Sequence, residues 1–242
     1  MNPSVASAFF GAACFVFGCS SSPLTGEPAG SEPLSSAPPT SGAPAAAGAS
    51  GGDVAPPALG PTSTFAAYPA GPYGTTRGAT IENLSFTGWH HPDSAGYDVA
   101  KFETVRLSDF YDPDGHSGVK LLAINASAVW CGVCRSEYQD MSKTAVYSTV
   151  HPKGVEILGT LFEDSQYYPA QPRDLHNWGV PTSFDVKFPL VLDPGFKMGA
   201  FFDSDATPLN MLVDVRTMTI VQITMGYSTT YWAQVQALLD KM

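Results

Sequence analysis

Between Val119 and Phe162 the sequence runs from one apolar stretch through an amphipathic one to a second apolar stretch, with two cysteines at the first junction. Val119 to Ala126 reads as a buried strand. Cys131 to about Val150 reads as a helix, with Val133, Tyr138, Met141, Ala145 and Val146 on an approximate face, and His151-Pro152-Lys153-Gly154 ends it. Val155 to Phe162 is a second strand. A strand–helix–strand crossover of this length implies a parallel, right-handed pair, so the chain is committed to an α/β sheet. Downstream the pattern predicts a short helix near Arg173 to Trp178, a strand at Phe188 to Leu192, and a helical turn over Phe196 to Phe202. An antiparallel hairpin of Leu209 to Val215 and Thr219 to Met225 turns at Arg216-Thr217, and a closing helix spans Tyr231 to Leu239. Upstream, Thr80 to Phe86 alternates as an edge strand does, and Val105 to Phe110 precedes the turn signal Asp112-Pro113-Asp114-Gly115. The expected result is a mixed sheet with helices on both faces.

The junction reads Trp130-Cys131-Gly132-Val133-Cys134 and places two thiols one helical turn apart. Disulfide exchange needs a thiol with a depressed pKa and a second thiol in reach to resolve the mixed disulfide. Unsatisfied N–H groups and the helix dipole at Cys131 favour a thiolate there, and the Cys-x-x-Cys spacing supplies the partner. A structural zinc site would need two further Cys or His ligands. The remaining cysteines, Cys14 and Cys19, lie in the N-terminal leader. The five histidines (His90, His91, His116, His151, His176) show no H-x₃₋₅-H spacing, and adjacent His90-His91 falls in a loop. Redox chemistry is the first reading, with copper binding and a plain structural disulfide behind it and no metal site assigned.

The chain has 242 residues and a formal net charge of −10; its basic residues are scattered, which argues against a nucleic-acid partner. Residues 1–18 carry no charged side chain. The apolar run Val5 to Phe17 is too short for a stable membrane span and suits a signal-peptide core. It ends in Val16-Phe17-Gly18-Cys19, which resembles a bacterial lipoprotein box and makes Cys19 the expected lipidated residue, ahead of Cys14. Residues 19–62 are rich in Pro, Ala, Gly and Ser. Their charged residues are Glu27, Glu32 and Asp53, and none is aromatic. Such a stretch buries too little apolar surface to offset its ordering entropy and reads as a disordered tether, spanning roughly 35–40 Å as a coil of about 43 residues. The folded domain is expected over 63–242, with an N-terminal β extension at about 63–107.

Leu121 through Glu137, reading LLAINASAVWCGVCRSE, resembles the active-site strand and helix of TlpA-like thioredoxin-fold proteins of the AhpC/TSA–thioredoxin superfamily. The matching residues are Asn125, Trp130, Cys131, Cys134, Arg135 and Glu137. Ala206-Thr207-Pro208 resembles the family's Thr-Pro segment, and Phe188 to Asp193 its F-P-L-x-x-D element. The resemblance covers about Ser108 to Met242 and implies a thioredoxin-like three-layer α/β/α domain with a central mixed sheet. It implies an exposed nucleophile at Cys131, a buried resolving thiol at Cys134, and a cis bond before Pro208. Trp130 is expected beside the dithiol. Asn125 stands where thioredoxins proper carry a buried Asp, so Glu137 is the candidate substitute proton acceptor. Val133 replaces the usual proline between the cysteines.

The implied activity is thiol–disulfide exchange with extracytoplasmic proteins, more in keeping with a reductant, with no cofactor beyond the Cys131–Cys134 disulfide. The implied partners are protein thiols and disulfides, an upstream membrane or periplasmic electron donor, and the membrane through Cys19. The implied location is the bacterial cell envelope. Two alternatives compete. A peroxidase of the peroxiredoxin type would need Pro at position 124 and Thr or Ser at 128, where the chain has Ile124 and Ala128. A copper-delivery module resembles Cys-x₃-Cys with a distant His, and no His follows His176.

Overall fold

The computed structural model describes residues 67–242. The leader 1–18, the lipidation candidate Cys19 and the tether 19–62 lie outside the described residues. Among the described residues, seven strands form one mixed sheet: β1 (Ser85–Trp89), β2 (Glu103–Arg106), β3 (Leu121–Ser127), β4 (Val155–Leu161), β5 (Leu190–Leu192), β6 (Leu209–Asp214) and β7 (Thr219–Met225). Their order across the sheet is β2-β1-β5-β4-β3-β6-β7. Strands β3, β4 and β5 run parallel, and β1, β2, β6 and β7 pair antiparallel with their neighbours. Every residue of β3 is buried, as its near-continuous apolar run requires of a central strand covered on both faces.

The α-helices of the described residues are α1 (Gly132–Lys143), α2 (Val146–Val150), α3 (Pro172–Gly179) and α4 (Tyr231–Leu239). The crossovers β3–α1–β4 and β4–α3–β5 step in the same direction along the sheet, so right-handedness puts α1 and α3 on one face. There the ring of Tyr138 meets that of Trp178 edge-on, with centroids 5.1 Å apart. The hydroxyl of Tyr227, ahead of α4, bonds the carboxylate of Asp140 on α1. The opposite layer is made of short 3-10 turns, Lys197–Ala200 and Ser204–Ala206. In it Phe196 and Phe202 pack on Phe162, with centroids 4.5 and 6.3 Å away.

Three local expectations are revised. The helix expected from Cys131 to Val150 breaks after Lys143, because Ala145 adopts a left-handed backbone (φ 50°) and a separate α2 begins at Val146. Periodicity does not register a one-residue change of backbone sign. The alternating Thr80 to Phe86 run is not an edge strand. Thr80 makes only isolated bridges to Tyr73 and Thr219, while β1 starts at Ser85 and pairs on both sides. The edge is β2, and it ends where Leu107–Phe110 tightens into a 3-10 turn. The turn over Phe196 to Phe202 is 3-10 and confined to Lys197–Ala200.

Candidate active site

The apolar β3 delivers the chain to Cys131 at the start of α1. The Cys131 backbone is extended (φ −76°, ψ 105°), and its Sγ accepts the Cys134 N–H at 3.0 Å, so the sulfur itself caps the helix. That is where the helix dipole and free amides favour negative charge. Cys131 and Cys134 are joined in a disulfide with Cα atoms 5.3 Å apart. Cys134 is fully buried, and Cys131 is only 4% exposed. The expectation of an openly exposed nucleophile is therefore corrected. In the oxidised state the first sulfur is largely occupied as the helix cap and as the disulfide partner of an interior residue.

Beneath the disulfide lies a buried polar cluster. Glu137, one turn beyond Cys134, is 0% exposed. Asn125 Nδ2 donates to Glu137 Oε2 at 2.8 Å, and Asn210 Nδ2 donates to Glu137 Oε1 at 2.8 Å. Asn125 Nδ2 also donates to Asn210 Oδ1 at 3.1 Å, and Ser127 Oγ donates to Asn125 Oδ1 at 2.7 Å. The two asparagines are direct cross-strand partners in the β3–β6 register. Burial pushes the Glu137 carboxyl up to about 7, opposed by the amide donors of Asn210 and Asn125. A carboxyl held there is poised to exchange a proton near neutrality.

The Thr207–Pro208 peptide bond is cis. Leu209 pairs with Ala126, which sets Pro208 at the sheet end where β3 gives way to the cysteines. The Pro208 carbonyl accepts the Gly226 N–H at 2.7 Å, tying this segment to the end of β7. Trp130 is half-buried. Its Nε1 donates to Glu163 Oε2 at 2.7 Å, and its ring stacks on Tyr167 with centroids 4.9 Å apart. Thus Cys131, Cys134, Trp130, Glu137, Asn125, Thr207 and Pro208 all lie at the carboxyl end of the central strands.

Sequence reasoning missed Asn210, Ser127, Glu163 and Tyr167. A signal for Asn210 existed: it is the polar residue within Leu209-Asn210-Met211-Leu212-Val213, two positions past Pro208. Glu163 and Tyr167 carried no comparable signal, because only the fold returns the β4–α3 loop to Trp130. His90, in the loop after β1, is half-buried, with Nδ1 3.0 Å from Glu103 and Nε2 3.2 Å from Asp109. Among the described residues, no group of three or more His, Cys, Asp or Glu is arranged to hold a metal ion. Ile124 and Ala128 are buried apolar positions.

No protein-family model matches the sequence, and no curated protein matches it. Solved structures do match. A candidate protein disulfide isomerase from Bacteroides thetaiotaomicron superposes with a TM-score of 0.51 at 23% identity, covering 70% of this chain and 91% of that one. An uncharacterized conserved protein from Geobacillus kaustophilus superposes with a TM-score of 0.51 at 17% identity, covering 69% and 81%. At these identities the likeness is one of fold, and the fold is the thioredoxin-like one.

Proposed function

We propose that this chain is a thiol–disulfide oxidoreductase acting through Cys131 and Cys134 on protein substrates outside the cytoplasm, held at a membrane by a lipid on Cys19. The observation that carries the reading is a Cys-x-x-Cys disulfide whose first sulfur caps the active-site helix. Reduction by an external dithiol donor frees both sulfurs. The Cys131 thiolate then attacks one sulfur of a substrate disulfide, the other leaves as a thiolate and takes a proton, and a mixed disulfide forms. Cys134, deprotonated, attacks Cys131 Sγ, expels the substrate as a dithiol and restores the disulfide found here. Run in reverse, the same steps oxidise a substrate dithiol.

Residue roles follow from position. Cys134 must lose a proton in an apolar interior, and Glu137 is the titratable carboxyl one turn away. Asn125 and Asn210 orient it and hold it partly ionised. The backbone flanking Pro208 is available to an extended peptide, because proline carries no N–H of its own. Trp130, held by Glu163, walls the sulfur on one side.

The test is a Cys134→Ser variant of the full chain, expressed in a bacterial envelope and resolved on non-reducing gels with mass spectrometry. Mixed disulfides on Cys131 that vanish with reductant are expected. Their absence, with the variant exported and Cys131 alkylatable, would count against exchange chemistry. Separately, full insulin-disulfide reduction by Cys131→Ser would sink the assignment of the nucleophile.

A further inference from the structure

The rim around the disulfide has a chemical character of its own. The described chain exposes seven large apolar side chains, and four of them sit at this one end of the sheet: Val133, Tyr167, Tyr168 and Met225. Met225 pairs with Leu209, next to Pro208. Tyr167 is 66% exposed although one ring face is stacked on Trp130, so its other face is open to a partner.

This platform is built rather than incidental. Asp164 Oδ1 accepts the amide N–H groups of Gln166 at 2.7 Å and Tyr168 at 3.0 Å, and the Asp164 N–H donates to the Tyr168 carbonyl at 2.8 Å. The closed loop holds Tyr167 in a left-handed backbone (φ 65°), a conformation uncommon for an aromatic residue. The indole N–H of Trp130 is fixed by Glu163 at the loop's start. An aromatic pair ordered before binding loses little entropy on contact.

Carboxylates outnumber basic groups at this end, where the exposed Arg173 at the start of α3 lies 3.6 Å from Asp174. Asp203 precedes the 3-10 turn that leads into Thr207-Pro208 and Asp205 lies within it, both exposed, and Glu163 stands beside Trp130. Two further basic side chains are turned elsewhere: the guanidinium of Arg135, on α1, lies over the rings of Trp178 and Phe184, and Lys197 lies over Phe86. Carboxylates and an open aromatic face together favour a cation, the first by charge and the second by its ring quadrupole.

We infer that this rim is a docking surface for a cationic polypeptide segment: the protein substrate carries Lys or Arg beside its reactive cysteine, seated between Tyr167 and the Asp203–Asp205 turn. The inference rests on the oxidoreductase reading for its site and adds the class of substrate.

The experiment uses three disulfide-bridged peptides that differ only at the residues flanking one cysteine: Lys, Ala or Glu. Their rates of reduction by the pre-reduced full chain are compared at low and high salt. The Lys peptide should react about tenfold faster than the Glu peptide, from one cation–π contact and two weak ion pairs. The ratio should shrink with salt and fall towards one in the triple variant Tyr167→Ala, Asp203→Asn, Asp205→Asn. Equal rates in the native chain, or a preference that survives in the triple variant, overturns the inference. Calorimetric titration with cysteine-free Lys and Glu peptides separates the two claims. If none of the bridged peptides is reduced but the Lys peptide still binds about tenfold more tightly, the chemistry fails and the docking surface stands. If the neutral peptide is reduced but the cysteine-free pair binds equally, the chemistry stands and the docking surface falls.

Discussion

Glu137 is the residue in which burial and hydrogen bonding conflict most directly. Desolvation favours the neutral acid, while two amide donors, one to each oxygen, favour the carboxylate. The folded-state value of about 7 lies above the ordinary 4.5, so the folded protein binds this proton more tightly than the unfolded chain. Its stabilising contribution is therefore complete below about pH 4.5 and is lost as the pH rises through 7. That interval corresponds to roughly 3 kcal/mol as an upper figure. Glu137→Gln removes the titration. The stability difference between the native protein and Glu137→Gln, from urea unfolding with the disulfide intact, should shift by about 2–3 kcal/mol between pH 4 and pH 8. A flat difference would mean the carboxyl does not titrate in that range. The variant also leaves one asparagine amide facing the Gln N–H₂, so a constant loss of about 1–3 kcal/mol accompanies it. The two effects separate because only one depends on pH. Glu137 entered the sequence reading through the resemblance of Trp130 to Glu137 to a family pattern, which says nothing of its burial. A helix carboxylate one turn past a cysteine can face water or the sheet, and the pairing of Asn125 with Asn210 decides it.

At the level of elements, α1 seats on the sheet through a glycine. A Cβ at Gly159 of β4 would stand 2.4 Å from the Tyr138 hydroxyl and 3.0 Å from Leu190 Cδ1. The Tyr138 hydroxyl is buried and has no hydrogen-bond partner. Gly159→Ala should therefore destabilise the fold by about 1–3 kcal/mol, the range for overpacking, while Tyr138→Phe should be close to neutral because it removes an unsatisfied group. The two changes should couple. With the hydroxyl gone, Gly159→Ala should cost at least about 0.5 kcal/mol less, measured as a double-mutant cycle by denaturant unfolding. Strict additivity would show that Leu190, not Tyr138, sets the limit. The strands and helices of the core were largely legible, since β3, β4 and β6 bury near-continuous runs that the sequence shows directly. The break between α1 and α2 was not, because Ala145 has no side-chain feature that announces a left-handed backbone.

Over the whole molecule, the N-terminal hairpin completes the sheet. Strand β5 has three residues, and β1 pairs along its open edge, with Trp89 opposite Leu190. Trp89 is 1% exposed; its indole N–H donates to the Asp98 carbonyl at 2.9 Å, and its ring meets Phe102 edge-on at 4.7 Å. Trp89→Ala should lower the unfolding free energy by about 3–5 kcal/mol and leave a single transition in urea, since the hairpin shares the sheet's core. A biphasic curve would mark the hairpin as a separately unfolding unit. Sequence alone determined the α/β class, the parallel crossover and the dithiol at a helix start, because these depend on periodicity and on residues a few positions apart. It also singled out Thr207-Pro208, though only through resemblance. What tertiary structure alone decided is which distant groups meet. Asn210 comes under Glu137, Glu163 and Tyr167 come to Trp130, and β1 rather than Thr80 to Phe86 pairs with β5. Those meetings depend on register and loop path, which are set by how the whole chain packs and leave no periodic trace in any one segment.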